Sequence, residues 1–147
     1  MIEFYCKRLN QSIRMKATGY QFPYENESYY DDNWLNFEIE IQKNEQHFKI
    51  KDPLFLTWEC IELAKWFQNF DSHTLNTDIM NLENTFCFSR INKTNEEKSN
   101  LIIRIHRTLV PYLTIAVEEE FYFCLDNSDS QKVFLGFKNI SNEFPIR

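Results

Sequence analysis

The chain has 147 residues, a length typical of one folded unit, so we expect residues 1–147 to form a single globular domain. A hydrophobic content of 43% and an aromatic content of 16% exclude a disordered or fibrous chain and predict an aromatic-rich core. The formal net charge of -6 argues against direct binding to nucleic acid, because affinity for the phosphate backbone comes from Lys and Arg. This charge suits a basic protein partner, or it serves only to keep the domain soluble.

The lack of a targeting signal at the start of the sequence and the usage of cysteine predict a cytoplasmic protein. The four cysteines lack C-x-x-C pairing and the dense spacing of a disulfide scaffold, which indicates reduced thiols. The first residues lack a long apolar segment, and no stretch approaches the ~18 apolar residues that a membrane span needs. We therefore expect no contact with a membrane.

Alternating apolar and polar residues predict antiparallel strands in the first third of the chain. A strand pair is expected over residues 2–8 and 12–18, with Gly19 ending the second strand. From Trp34 onward the period is again two, which is typical of a strand with one buried face. The apolar positions of this strand are Leu35, Phe37, Ile39 and Ile41.

The connection over residues 20–33 is unusually aromatic and carries acidic residues beside its tyrosines. Tyr and Trp anchors are enriched in protein interfaces, and complementary charge accelerates encounter. This pattern makes five residues candidates for partner contact. The alternative is a structural role, in which Asp32 or Asn33 bonds the loop backbone and Trp34 packs over the sheet edge. The five candidates are Tyr29, Tyr30, Asp31, Asp32 and Trp34.

A hairpin partner is expected over residues 46–51, ended by Asp52-Pro53. Residues 54–70 then repeat apolar side chains every three or four positions, which predicts an amphipathic helix. Trp58 and Ile61 fall on the face opposite the apolar stripe, where they meet either another part of the fold or a partner. Trp58 is therefore a sixth candidate contact.

The second half predicts further strands and a last helix. Residues 71–84 are unpatterned, strands are expected over 85–91 and 101–106, and residues 93–100 form a charged turn. Residues 113–126 look like one long strand.

Three consecutive glutamates interrupt the long strand. Continuous alternation would bury Glu119, so we expect a bulge or tight turn there. Glu118, Glu119 and Glu120 are also candidate contacts for a basic partner. N-cap residues at 126–129 then begin a short amphipathic helix before Pro145, weakened by Gly136. The order of strands, helix, strands, helix predicts an α+β fold with an antiparallel sheet of about six to eight strands and two helices.

Local motifs for catalysis are missing from the sequence. There is no G-x-S-x-G, and Gly19 and Gly136 alone cannot form a phosphate-binding loop. His47, His73 and His106 lack ligand spacing, so we predict no catalytic residue, no metal and no cofactor. Two alternatives stay open: a small hydrolase or transferase using convergent carboxylates and a histidine, and a structural or regulatory homo-oligomer.

Two segments resemble the WapI family of bacterial immunity proteins. They are Asp31-Asp32-Asn33-Trp34-Leu35, which opens the alternating strand, and Phe121-Tyr122-Phe123-Cys124-Leu125-Asp126 before the last helix. The order of elements is similar over nearly the whole chain. This resemblance implies a small, cytoplasmic, noncatalytic protein that binds and neutralises the nuclease domain of a polymorphic toxin encoded by an adjacent gene. It assigns no catalytic role to Asp32, Asn33 or Trp34.

Overall fold

Two four-stranded antiparallel sheets and two α-helices make up the described part of the chain, which comprises residues 1–24, 28–72, 77–92 and 99–147 of a computed structural model. The first sheet has the order β1-β2-β3-β4, formed by Ile2–Cys6, Gln11–Tyr20, Trp34–Lys43 and Gln46–Leu56. The second has the order β5-β6-β7-β8, formed by Thr77–Met80, Phe86–Arg90, Leu101–His106 and Glu118–Phe123. Helix α1 (Thr57–Gln68) lies between them in sequence, and α2 (Asn127–Glu143) follows. The predicted α+β class and element order are confirmed.

The period-two pattern decides which face of the first sheet is buried. In β3 the alternate apolar side chains Leu35, Phe37, Ile39 and Ile41 are all buried, as predicted. The opposite face is polar, and its charges pair across the strands with opposite charges in neighbouring strands. These ion pairs are Arg14–Glu3 at 2.8 Å, Lys49–Glu40 at 2.7 Å and Lys51–Glu38 at 3.4 Å.

A cluster of phenylalanine rings joins both sheets and both helices in one hydrophobic core. Phe55 of β4 lies 6.4 Å from Phe88 of β6 between ring centroids, and Phe67 of α1 lies 5.9 Å from Phe137 of α2. Phe4 of β1 contacts Phe88 at 5.9 Å. Each fully buried ring contributes roughly 1.5–3 kcal/mol of transfer free energy, so this cluster is the main source of the aromatic-rich core that composition predicts.

The expected end of the second hairpin at Asp52-Pro53 is wrong, because β4 continues to Leu56. Pro53 lies opposite Asn36 in the ladder, and it is tolerated because β4 is the edge strand of its sheet. The register shifts between Leu35 and Asn36, which indicates a bulge in this pair. Gly19 likewise does not end β2 but follows a second register shift within it.

The last helix is longer than expected. It spans 17 residues, and the side chain of Asp126 caps it by accepting a hydrogen bond from Asp129 N at 2.8 Å. Gly136 permits close packing rather than simply weakening the helix, since a Cβ there would lie 2.6 Å from Ile2 Cγ1. The short, interrupted helix expected from sequence is therefore wrong.

Two further expectations need correction. Residues 77–80, expected to be unpatterned, form β5, and residues 113–117 lie outside β8, which begins at Glu118. The connection before β8 extends the β7–β8 hairpin through a bond from Arg107 N to Val117 O of 2.9 Å. The expected charged turn over 93–100 lies outside the described residues at 93–98, as does His73.

Candidate functional site

Strand β3 separates the nine candidate residues into two groups. The strand has ten residues and is therefore roughly 30 Å long, at about 3.3 Å per residue. Its first residue, Trp34, follows the tyrosine-rich connection directly, whereas its last residue, Lys43, contacts Glu119. The candidates therefore do not form one surface.

Three aromatic rings from two separate segments meet near the start of β3, and we call Tyr29, Tyr30 and Trp58 the aromatic patch. The rings of Tyr29 and Trp58 stack with centroids 4.7 Å apart and planes within 5°. Tyr30 stands edge-on to both rings, at 5.5 Å from Trp58 and 6.0 Å from Tyr29. Despite these contacts Tyr29 is 57% exposed and Tyr30 is 56% exposed. The structure thus brings together two features that the sequence places 28 positions apart.

Asn33 holds the connection beneath the patch in place, and it is fully buried. Its Nδ2 donates to Tyr29 O at 2.7 Å and to Arg147 O at 3.2 Å, while its Oδ1 accepts from Arg147 N at 2.9 Å. Thr57 Oγ1 at the start of α1 donates to Asn33 O at 3.4 Å. This buried amide fixes the tyrosine backbone relative to the helix that carries Trp58.

The acidic residues beside the patch differ in exposure. Asp31 is exposed, whereas Asp32 is only 5% exposed, and its backbone N donates to Ser28 O at 2.9 Å within a 3-10 turn. Trp34 is half-buried and pairs with Leu56 in the β3–β4 ladder. The side chains that face solvent near the patch are therefore those of Tyr29, Tyr30 and Asp31, with part of Trp58.

Glu119 does not require the expected bulge, because a lysine from the other sheet compensates it. The β7–β8 register runs without a shift from Leu101↔Phe123 to His106↔Glu118, so Glu119 keeps the parity of the buried Phe121. Lys43 Nζ pairs with the Glu119 carboxylate, and it also donates to Glu120 O at 3.0 Å. Of the two expected features, no bulge occurs in this pair, whereas the chain bends at residues 115–117 directly before Glu118. The inward glutamate links the two sheets.

The other two glutamates share one arginine. Arg104 Nε lies 3.0 Å from Glu120 Oε1 and 3.6 Å from Glu118 Oε1, and Arg104 NH1 donates to Ser89 Oγ at 2.6 Å. The hydroxyl of Tyr122 donates to Glu120, and this bond, followed by Arg104, lowers the pKa of the Glu120 carboxyl. Much of the charge of the three glutamates is therefore balanced by side chains of the chain itself.

The two described histidines, His47 and His106, lie far apart in the chain and on different sheets. His47 is exposed at the start of β4, and His106 Nδ1 lies 2.9 Å from Thr108 Oγ1 near the surface. A cleft of about 540 Å³ at the start of α2 is lined by neither of them. Among the described residues, no group of three or more His, Cys, Asp or Glu side chains could hold a metal ion. In the same part of the chain, no helix combines the length and apolar character needed to cross a membrane.

The sequence does not predict two features: one buried carboxylate and one group of exposed apolar and aromatic side chains. Glu59 is buried at the start of α1, where its carboxylate accepts from Leu56 N at 2.8 Å and from Leu82 N. The sequence lacks the Ser/Thr-x-x-Glu capping signal here, because the N-cap is Leu56, so the buried carboxylate has no local sign. Tyr112, Ile115 and Val117 are exposed in the β7–β8 connection, and Ile115 and Val117 were expected to lie in a strand.

The fold and this surface define a small α+β protein whose exposed rings resemble the aromatic anchors of protein-binding surfaces. A model of the Immunity protein WapI-like family matches residues 6–145 of the 147. The chain belongs to that family, as the resemblance predicts. No curated protein and no solved structure matches the chain significantly.

Proposed function

We propose that this protein acts in the cytoplasm as a noncatalytic inhibitor that binds the nuclease domain of a cognate polymorphic toxin and neutralises it. Membership of an immunity protein family supports an inhibitory role. The observation that carries the proposal is the aromatic patch, because two tyrosines more than half exposed are held in fixed contact with Trp58.

The patch has the properties that favour strong protein contacts. Tyr and Trp bury a large area with few rotatable bonds, so they lose little conformational entropy on binding. The contacts between the three rings and the buried Asn33 fix the loop before a partner arrives, which lowers the cost of ordering it. A preorganised surface of this kind suits tight inhibition.

Charge supports a basic partner. The net charge is -6, and Asp31 is exposed directly after Tyr30. A nuclease domain that binds a phosphate backbone is expected to be basic. Long-range attraction between the two proteins would accelerate association and weaken as salt rises.

The proposal is tested with the toxin domain encoded beside this chain. We expect the purified proteins to form a complex whose affinity falls with ionic strength, and co-expression to protect cells from the toxin. Trp58→Ala and Tyr30→Ala should each weaken binding by at least about 30-fold, the effect of a hot-spot residue. Calorimetry measures the affinity, and circular dichroism checks that each variant is folded.

Tyr112→Ala is the matched control, because Tyr112 is an exposed tyrosine in the β7–β8 connection. It should leave the affinity unchanged. Absence of both a complex and cellular protection would disprove the proposed function. A complex that tolerates both patch variants and loses affinity with Tyr112→Ala would move the contact to the β7–β8 connection.

A further inference from the structure

We infer that the aromatic patch is a binding site for a cationic side chain, an arginine or lysine of the toxin domain, held by cation–π contact and by Asp31. This inference rests on the proposed function and goes beyond it, because it names the chemical group that the patch recognises. It also distinguishes the patch from an ordinary apolar anchor.

The geometry of the three rings supplies the first argument. Tyr29 and Trp58 lie parallel within 5°, while Tyr30 is rotated by 84° from Tyr29 and by 79° from Trp58. Tyr30 is about equally far from the two stacked rings, so it lies beside the pair. The faces of aromatic rings are electron-rich and bind ammonium and guanidinium groups. Both tyrosines remain more than half exposed, so ring surface is still available to a ligand.

The surrounding charges supply the second argument. Asp31 follows Tyr30, and Glu62 lies one turn after Trp58 on α1; both residues are exposed. Exposed carboxylates this close to the three rings along the chain add Coulomb attraction for a cation and disfavour an anion. An anionic or purely apolar ligand would gain nothing from these two residues.

Cation–π contacts elsewhere in the molecule supply the third argument. The guanidinium of Arg147 lies 3.5 Å from the centroid of the Tyr20 ring, and three other described cations lie over phenylalanine rings. Within residues 1–24, 28–72, 77–92 and 99–147, no cation of this kind lies over the three rings of the patch. Among the described residues, the chain itself therefore supplies no cation to these rings. Arginine is favoured over lysine because its planar guanidinium also stacks.

Fluorination of Trp58 tests the inference, because each added fluorine weakens the ring quadrupole and changes its shape little. Mono-, di- and trifluorotryptophan are incorporated at position 58, and affinity for the toxin domain is measured by calorimetry. We expect a stepwise loss that reaches about tenfold for the trifluoro variant. The same series at Trp66, whose ring packs 4.8 Å from Phe67 and 5.5 Å from Phe70, should leave affinity unchanged.

Three outcomes would overturn the inference. Equal affinity across the fluorinated series, with a loss in Trp58→Ala, would show an apolar anchor. Full affinity in Trp58→Ala would place the contact elsewhere, although the complex would still support the proposed function. An equal loss in the Trp58 and Trp66 series would show a general effect of fluorine.

A probe that needs no toxin separates this inference from the proposed function. N-ethylguanidinium chloride is titrated against the isotope-labelled protein, with neutral N-ethylurea as control, and the Trp58 indole and Tyr29 and Tyr30 ring signals are followed by NMR. We expect saturable shifts with the guanidinium alone. If no toxin complex forms but these shifts occur, the proposed function fails and the cation site stands; shifts that are equal with both probes would disprove the site.

Discussion

The aromatic patch and the glutamate cluster of Glu118, Glu119 and Glu120 lie at opposite ends of β3. They differ in how far their side chains are paired within the chain. The patch exposes rings that a soluble domain would normally bury, and it holds them with a buried amide. The glutamate cluster turns one carboxylate, that of Glu119, toward the core, and Lys43 and Arg104 balance the three charges. The patch is therefore open to a ligand, whereas the cluster already has its partners within the chain.

This difference shows why a run of acidic residues is a weak sign of an acidic surface. Glu119 is paired with a lysine 76 positions away, and its side chain is only 17% exposed. Charges that are paired and partly desolvated within a fold contribute little to the attraction of a distant partner. Three pairs of variants test this comparison, beginning with the residue that supports the patch.

Asn33→Ala should produce the largest effect. The substitution removes a fully buried side chain and leaves Tyr29 O and Arg147 N without their hydrogen-bond partner. We expect a loss of about 3 kcal/mol in the free energy of unfolding, since the side chain makes three hydrogen bonds and each contributes roughly 0.5–1.5 kcal/mol. Urea denaturation measures the loss, and partner affinity should fall at the same time because the tyrosines are no longer fixed.

Asn69→Ala is the control for this substitution. Asn69 Nδ2 donates to Lys65 O at 2.9 Å, but the bond is exposed at the end of α1. Water can replace such a bond, so stability should change little. Equal losses from Asn33→Ala and Asn69→Ala would contradict the supporting role assigned to Asn33.

Lys43→Met, at the other end of β3, should produce the second-largest loss of stability. It leaves the Glu119 carboxylate without its cation on the core side of β8. We expect a loss of about 2 kcal/mol, below the 3–5 kcal/mol of fully buried pairs, because Lys43 retains 27% exposure. Lys43→Met combined with Glu119→Met should recover most of this stability, since the double variant leaves no unpaired charge.

The affinity of the double variant for the toxin domain shows which end of β3 contacts the partner. The double variant should retain full affinity for the toxin domain, because the glutamate cluster is assigned a structural role. A stable double variant that no longer binds would place the partner contact at the glutamate cluster.

Local sequence patterns correctly predict buried faces where the geometry of one segment alone decides which side chains share a face. The alternation in β3 and the stripe of Cys60, Leu63 and Phe67 in α1 predict the buried faces, because period two and period 3.6 follow from backbone geometry alone. The aromatic composition of residues 20–33 makes Tyr29 a candidate contact, and the helix pattern separately makes Trp58 one. Their contact could not be predicted, since it depends on how the connection folds back onto the helix.

Local sequence patterns gave wrong predictions where a residue that is unfavourable in its own segment is accommodated by the arrangement of distant parts of the chain. Pro53 is tolerated because β4 is an edge strand, and Gly136 serves the packing of Ile2 from the opposite end of the chain. Glu119 kept its inward parity because Lys43 reaches it from another sheet. Each of these required the tertiary arrangement, which no window of sequence contains.

The dependence of stability on pH gives the smallest and last test, because the pKa values of Glu59 and Glu120 are shifted in opposite directions. Burial raises the pKa of Glu59 at the start of α1, although two backbone N–H groups partly offset it. The Tyr122 hydroxyl and Arg104 lower the pKa of Glu120. Both groups have an ordinary value of 4.5, so the two shifts lie on either side of it.

The signs follow from linkage between protonation and folding. The contribution of Glu59 to stability is fully present below pH 4.5 and is lost as pH rises through its raised folded pKa. The contribution of Glu120 is present above pH 4.5 and is lost as pH falls through its lowered folded pKa. Urea denaturation from pH 3 to pH 7 compares the wild-type chain with Glu59→Gln and with Glu120→Gln. Relative to wild type, Glu59→Gln should grow more stable as pH rises, whereas Glu120→Gln should grow less stable; parallel curves for all three proteins would show that neither carboxylate is perturbed by its surroundings.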